Sequence, residues 1–203
     1  MARTVGSVGE RTEGAIRDAA LGLMARRGYE AVSMRDLAAE VGVQPAALYR
    51  YFPTKEELLF TLLLEHMQAL AAAWETMRPA AAPPSERLAA FVDNHVRFHV
   101  ARRHSTHVSN MELRSLSHER LSHVLKRRNA YEKELRVILR DGRDSGDFDI
   151  DDTELTAMAI IQMLTGVIVW FRPGERLTVD QVTEIYLKMT MRLVGAAGSV
   201  RNV

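Results

Sequence analysis

Residues 33–52 read SMRDLAAEVGVQPAALYRYF, and the reading of this stretch decides the fold. Ser33 is a residue type that caps a helix N-terminus, and Asp36 three positions on completes a capping-box pattern. Leu37, Ala38 and Val41 follow at helical spacing. Gly42 stands where a helix must end in a left-handed residue, and Val43 is the apolar residue at the corner. Gln44-Pro45 restarts the chain as a helix, because proline suits a first helical turn. Ala46 to Tyr51 continue it. Phe52 precedes Pro53 and is pushed out of the α region, which ends the second helix. Two short helices around a glycine turn form a helix-turn-helix.

Working outward, the apolar residues Ile16, Ala19, Ala20, Leu23 and Met24 predict a helix over residues 12–27, closed by Gly28. Residues 1–9, with Arg3, are expected to be a disordered arm. Downstream, Thr54-Lys55-Glu56-Glu57 is a second capping box. It opens a long helix whose Leu58, Leu59, Leu62, Leu63, Met67, Leu70, Trp74 and Met77 lie at helical spacing. Pro79, Pro83 and Pro84 mark a loop. Further helices are expected from Ser85 through His99, over residues 111–116, from Ser117 to about residue 144, over 153–171 and over 178–193. The helix over 153–171 is apolar on every face, so every face must be covered. Residues 195–203 are expected to fray. No period-two alternation is present. The chain therefore reads as all-α, with about nine helices. An N-terminal three-helix helix-turn-helix domain (10–53) precedes a C-terminal helical domain (54–203), and helix 54–78 bridges the two.

Composition narrows the class. The 203 residues are 47% hydrophobic and 26% charged, with net charge +1 and no cysteine. Disulfide and thiol chemistry are thereby absent, and a reducing compartment, the cytoplasm, fits. No apolar run approaches the roughly 20 residues of a membrane span, so no membrane partner is expected. Near-neutral charge means that affinity for a polyanion must come from a few placed groups.

The order of motifs is specific: Arg27-Gly28-Tyr29, the S-x-x-D helix, the Gly42-Val43 turn, the helix ending Leu48-Tyr49-Arg50-Tyr51-Phe52, then Thr54-Lys55-Glu56-Glu57-Leu58. Over residues 11–65 it strongly resembles the N-terminal domain of the TetR family of bacterial transcriptional repressors. Gln44-Pro45 and Ala47 depart from the commonest residues of that pattern. Glu112-Leu113-Arg114-Ser115-Leu116-Ser117, residues 127–132 and Trp170-Phe171-Arg172-Pro173-Gly174 resemble the branch of the family that responds to acyl-CoA thioesters.

The resemblance implies double-stranded DNA with a palindromic operator as partner, a small apolar or acyl-CoA-like effector, a homodimer, no enzymatic activity and no cofactor. The second motif helix would enter the major groove with its N-terminal residues at the base edges. Gln44 and Arg50 are the polar candidates there, while Pro45, Ala46 and Ala47 allow close approach and a thymine-methyl contact. Tyr49, Tyr51 and Lys55 match positions that contact phosphates in the family. Ser33 and Arg35 suit a phosphate at a helix N-terminus. An effector pocket would draw on Trp74, Phe91, Phe98, Met111, Arg114, Leu116, Arg128, Tyr131, Met163 and Trp170. The basic residues Arg102, Arg103, Arg114 and 126–128 suit CoA phosphates. Most of these residues read first as ordinary core and only second as ligand contacts. A four-helix bundle from two chains would use Ile161, Leu164, Ile168, Val182, Tyr186 and Met189.

Six of the seven histidines fall between residues 95 and 123. His95 and His99 are spaced i, i+4, which can serve a metal. A metal-responsive DNA-binding sensor is therefore the alternative, and a helical enzyme a more remote one. Residues 147–152 are rich in Asp, but a loop that caps the next helix explains them.

Overall fold

A computed structural model describes residues 5–196. The α-helices are α1 (Val5–Arg27), α2 (Met34–Val41), α3 (Pro45–Leu48), α4 (Lys55–Met77), α5 (Pro84–Ala101), α6 (Arg103–Met111), α7 (His118–Ser145), α8 (Thr153–Thr165), α9 (Val167–Trp170) and α10 (Val179–Leu193). A 3-10 turn, Leu113–Ser115, lies between α6 and α7. No strand occurs among the described residues. The expected helix over 153–171 is broken at Gly166 into α8 and α9.

Three other boundaries differ from the sequence reading. α1 begins at Val5, so residues 5–9 are its first turns and not part of an arm; residues 1–4, with Arg3, lie outside the described residues. α6 was not anticipated, because RHSTHVSNM holds only two apolar residues, Val108 and Met111. At the other end, residues 195 and 196 are held rather than frayed. Val194 is buried, its carbonyl accepts the Asp149 N–H at 2.9 Å, and the Ala196 N–H donates to Met191. Residues 197–203 lie outside the described residues.

The chain forms two compact units. The first holds residues up to His66 together with 104–125. The second holds 67–103 together with 126 onward. The division falls inside α4 and α7, so the boundary expected at 53/54 delimits the motif and not a compact unit.

In the first unit, α1 packs on α2, and α2 on α3. Ile16, Ala20, Leu23, Met24, Val32, Leu37, Leu48, Leu58, Leu59 and Leu63 are fully or almost fully buried. Each large aliphatic side chain so buried contributes about 1.5–3 kcal/mol relative to exposure. Ser33 closes the expected capping box on α2. Its Oγ accepts the Asp36 N–H at 3.1 Å, and its own N–H donates to Asp36 Oδ2 at 2.8 Å. Gly42 is the left-handed cap, at φ 74°, a conformation that costs glycine nothing.

In the second unit, α5 is the central element, contacting α8, α9 and α10. Leu88, Phe91, Val92 and Val96 of α5 meet a core shared with Leu135, Ile138, Leu139, Ile160, Leu164 and Val167. Arg97 ties α5 to the start of α10 through Asp180 at 2.7 Å. Arg136 and Arg140 of α7 both hold Glu154 of α8. Phe148 lies directly over Gly142 of α7, where a Cβ would stand 2.1 Å from its ring. Glycine is required there by proximity.

Candidate nucleic-acid interface and effector site

The short helix α3 presents most of its surface outward. Leu48 is its buried anchor, whereas Gln44, Ala46, Tyr49 and Arg50 are exposed and Pro45, Ala47 and Tyr51 are half-buried. Gln44 is the N-cap residue, yet its side chain makes no capping hydrogen bond, which leaves the amide to reach outward. Regular α geometry ends at Leu48, one turn earlier than expected. Turn hydrogen bonds from Arg50 to Ala47 and from Tyr51 and Phe52 to Leu48 extend the spiral.

Two expected phosphate contacts have other engagements. The Ser33 hydroxyl also donates to Asp36 Oδ2, at 2.6 Å. That hydrogen bonding holds the Asp36 carboxyl below its ordinary range, so a carboxylate occupies the N-terminus of α2 and Arg35 is the cation beside it. Lys55 donates to the Tyr29 carbonyl at 3.0 Å and sits 4.0 Å from the centre of the Tyr29 ring.

Sequence reasoning placed Glu112 in a family-like motif but missed its partner. The buried Glu112 carboxylate accepts the Tyr29 backbone N–H at 3.0 Å. Together with Arg27, Gly28, Glu30, Ala31, Arg114 and Ser115 these residues line a cleft of about 420 Å³. A donor and acceptor 83 positions apart leave no local signal.

The second unit holds seven of the ten expected pocket residues; Met111, Arg114 and Leu116 belong to the first unit. Met111 is 56% exposed, which removes it from any enclosed lining. Trp74 meets Phe91 edge-on at 5.2 Å, and Phe91 stacks on Tyr131 at 5.1 Å. Phe98 is buried and Met163 half-buried. Trp170 is half-exposed and donates its Nε1–H to Tyr186 Oη at 3.2 Å.

Polar groups run through this aromatic cluster. His95 pairs with Tyr131 Oη at 3.3 Å and with Thr165 Oγ1 at 2.9 Å. His99 Nδ1 donates to the His95 carbonyl at 2.7 Å. Burial, aided by the positive Arg128, holds His99 at about 4 against the opposing pull of that hydrogen bond. His99 is therefore neutral at physiological pH. Burial also lowers the pKa of Arg128 and raises that of Tyr131.

The metal-sensor alternative fails on this geometry. The His95 and His99 rings stack face to face at 3.9 Å instead of converging on a point. Both His95 nitrogens are engaged with hydroxyls, and His99 Nδ1 faces a carbonyl. Among the described residues no group of three His, Cys, Asp or Glu side chains is placed to hold an ion.

The bundle assignment also changes. Leu164, Ile168, Val182 and Tyr186 are buried within their own chain, because those stripes of α8, α9 and α10 cover the core around α5. Ile161 is half-buried. The apolar residues left outside are Leu155 and Met158 on α8, Val169 and Trp170 on α9, and Ile185, Met189 and Leu193 on α10, exposed by 44–71%. Residues Thr153–Trp170 have the length and composition of a membrane span, with mean hydropathy 1.5 and 33% of the segment buried. The expectation that no run approaches a span is corrected accordingly.

A capped helix-turn-helix with an outward-facing second helix, on an otherwise helical chain, defines the class: a DNA-binding transcriptional regulator. Residues 16–62 match the bacterial regulatory proteins of the tetR family, and residues 81–194 match the tetracyclin repressor-like C-terminal domain. The chain belongs to the tetR family. The HTH-type transcriptional repressor KstR2 of Mycobacterium tuberculosis is 29% identical over 195 residues, covering 94% of this chain and 96% of the relative. A tetR-family regulatory protein from Rhodococcus RHA1 superposes with a TM-score of 0.87 at 31% identity, over 92% of this chain and 98% of that one. AibR, solved in complex with isovaleryl coenzyme A and operator DNA, superposes with a TM-score of 0.79 at 26% identity, over 91% and 99%. These relatives are regulators and not enzymes, and so is this chain.

Proposed function

We propose that this protein is a homodimeric repressor that binds a palindromic operator and is released from it by an acyl-CoA thioester. The observation that carries the effector reading is the likeness, over almost the whole chain, to a regulator solved with isovaleryl coenzyme A and operator DNA. The second unit fits that chemistry, since an apolar cluster crossed by a few polar groups suits an acyl chain with one polar function.

In this reading Gln44 and Arg50 read base edges from α3, and Pro45, Ala46 and Ala47 allow close approach. Tyr49, Tyr51, Lys55, Ser33 and Arg35 place the module on the phosphates. One module reads few base pairs, so a two-fold pair doubles the footprint. The pair forms through the apolar residues that α8 and α10 leave exposed. Effector binding favours a conformer in which the two copies of α3 no longer match successive major grooves, to the extent that it binds that conformer more tightly. The protein acts where the DNA is, in the cytoplasm.

The test is operator affinity, by fluorescence anisotropy, with and without a series of acyl-CoA thioesters that includes isovaleryl-CoA. At least one member of the series weakens binding tenfold or more. Unchanged operator affinity across the series, at concentrations up to 1 mM (about the weak end of specific affinities), contradicts the effector reading.

A further inference from the structure

The carbonyl of Phe171, at the end of α9, attracts two guanidinium groups. Arg103, at the start of α6, donates from Nη1 at 3.2 Å, and Arg172 donates from Nη1 at 3.0 Å. Arg172 Nη1 also reaches the Val169 carbonyl at 3.0 Å. One arginine is enough to cap a helix C-terminus; the second adds a like charge beside the first. Arg78, Arg87, Arg97, Arg136 and Arg140 each meet a carboxylate. Neither Arg103 nor Arg172 forms an ion pair with a carboxylate among the described residues. Burial and the neighbouring Arg172 both lower the Arg103 pKa, as expected where positive charge is concentrated without a counter-charge.

A small cleft of about 80 Å³ lies at the same corner, lined by Trp170, Phe171, Arg172, Glu175, Arg176 and Leu177. Glu175, the carboxylate in that lining, pairs with neither arginine. The hydrogen bonds described occupy Nη1 of each guanidinium. The Nε and Nη2 edges are the pair of parallel donors that fits two oxygens of a phosphate.

We propose that Arg103 and Arg172, with Arg176 beside them, form an anion site that receives a phosphate group of the effector. The proposal rests on the acyl-CoA reading of the effector and specifies which residues hold its phosphorylated end. A phosphate here neutralises two adjacent cations at once, and so ties the α5–α6 corner to the end of α9.

The test is calorimetry on the full chain with coenzyme A, adenosine 3′,5′-bisphosphate and pantetheine, the last having no phosphate. Coenzyme A and the bisphosphate bind, and pantetheine binds at least tenfold more weakly than coenzyme A. Arg103→Gln and Arg172→Gln each weaken coenzyme A at least tenfold. Arg172→Lys, a point charge without the fork, recovers part of that loss. Arg143→Gln, which removes the same charge from the end of α7, leaves binding unchanged. Thermal unfolding of the same variants separates a merely structural role. If the arginines only cap α9, the glutamine variants melt earlier while coenzyme A binding is unaltered, and the proposal is overturned. Absence of binding by both phosphorylated probes to the wild-type chain also overturns it. Failure of the effector reading has a different signature: phosphorylated probes bind at the arginines, yet no thioester releases the operator.

Discussion

His99 shows how much a single side chain depends on its surroundings. It lies among Phe98, His95 and the cationic Arg128, and its pKa falls from the ordinary 6.5 to about 4. Below pH 6.5 the unfolded chain takes up a proton here that the folded chain refuses until about pH 4. Stability is therefore lost as the pH falls through that window, by about 3 kcal/mol at 1.36 kcal/mol per unit. Urea denaturation of the wild-type chain and of His99→Gln at pH 7 and pH 4 measures this. The wild type loses about that much more stability than the variant; parallel losses contradict the assignment. At this scale, caps were legible in the sequence and long-range partners were not. Ser33, Asp36 and Gly42 act locally, and all take their expected places. The contacts of Glu112 with Tyr29 and of His95 with Tyr131 and Thr165 depend on which elements meet.

Elements were legible where an apolar stripe or a cap announced them. α4, α5, α7 and α10 fall within one or two residues of their predicted spans. α6 was illegible because it is polar and histidine-rich, buried only at Thr106, Val108 and Ser109. The break at Gly166 was hidden for the opposite reason, since residues on both sides are uniformly apolar. The close approach of Phe148 to α7 was also hidden, because a mid-helix glycine has many causes. It carries a prediction. Gly142→Ala gains helix propensity of about 1 kcal/mol but drives a Cβ into the Phe148 ring. Overpacking of this kind costs about 1–3 kcal/mol, so the variant is less stable on balance. Gly142→Ala with Phe148→Leu recovers the loss in thermal melts. A Gly142→Ala chain more stable than wild type contradicts the packing described.

At the scale of the whole molecule, the sequence indicated the family and the all-α class, but of the six residues expected at the partner four are buried in their own chain and Met189 is exposed. A helix apolar all round does not say which face its own chain uses, and only the packing on α5 separates Leu164 from Met158. In the proposed dimer, the exposed residues of α8 and α10 form the surface that a second copy covers. Met158→Asp with Ile185→Asp is expected to give a folded monomer in sedimentation, with unchanged helicity and operator binding at least tenfold weaker. A dimer that survives both substitutions contradicts that assignment.

The central claim is that α3 reads DNA. Selection of bound duplexes from a random pool, followed by anisotropy titrations of Gln44→Ala and Arg50→Ala on the selected site, tests it most directly. The account predicts enrichment of an inverted repeat and a loss of discrimination at one or more positions, at about 1–3 kcal/mol per lost base contact. No enriched site, or two variants that discriminate as the wild type does, would contradict it.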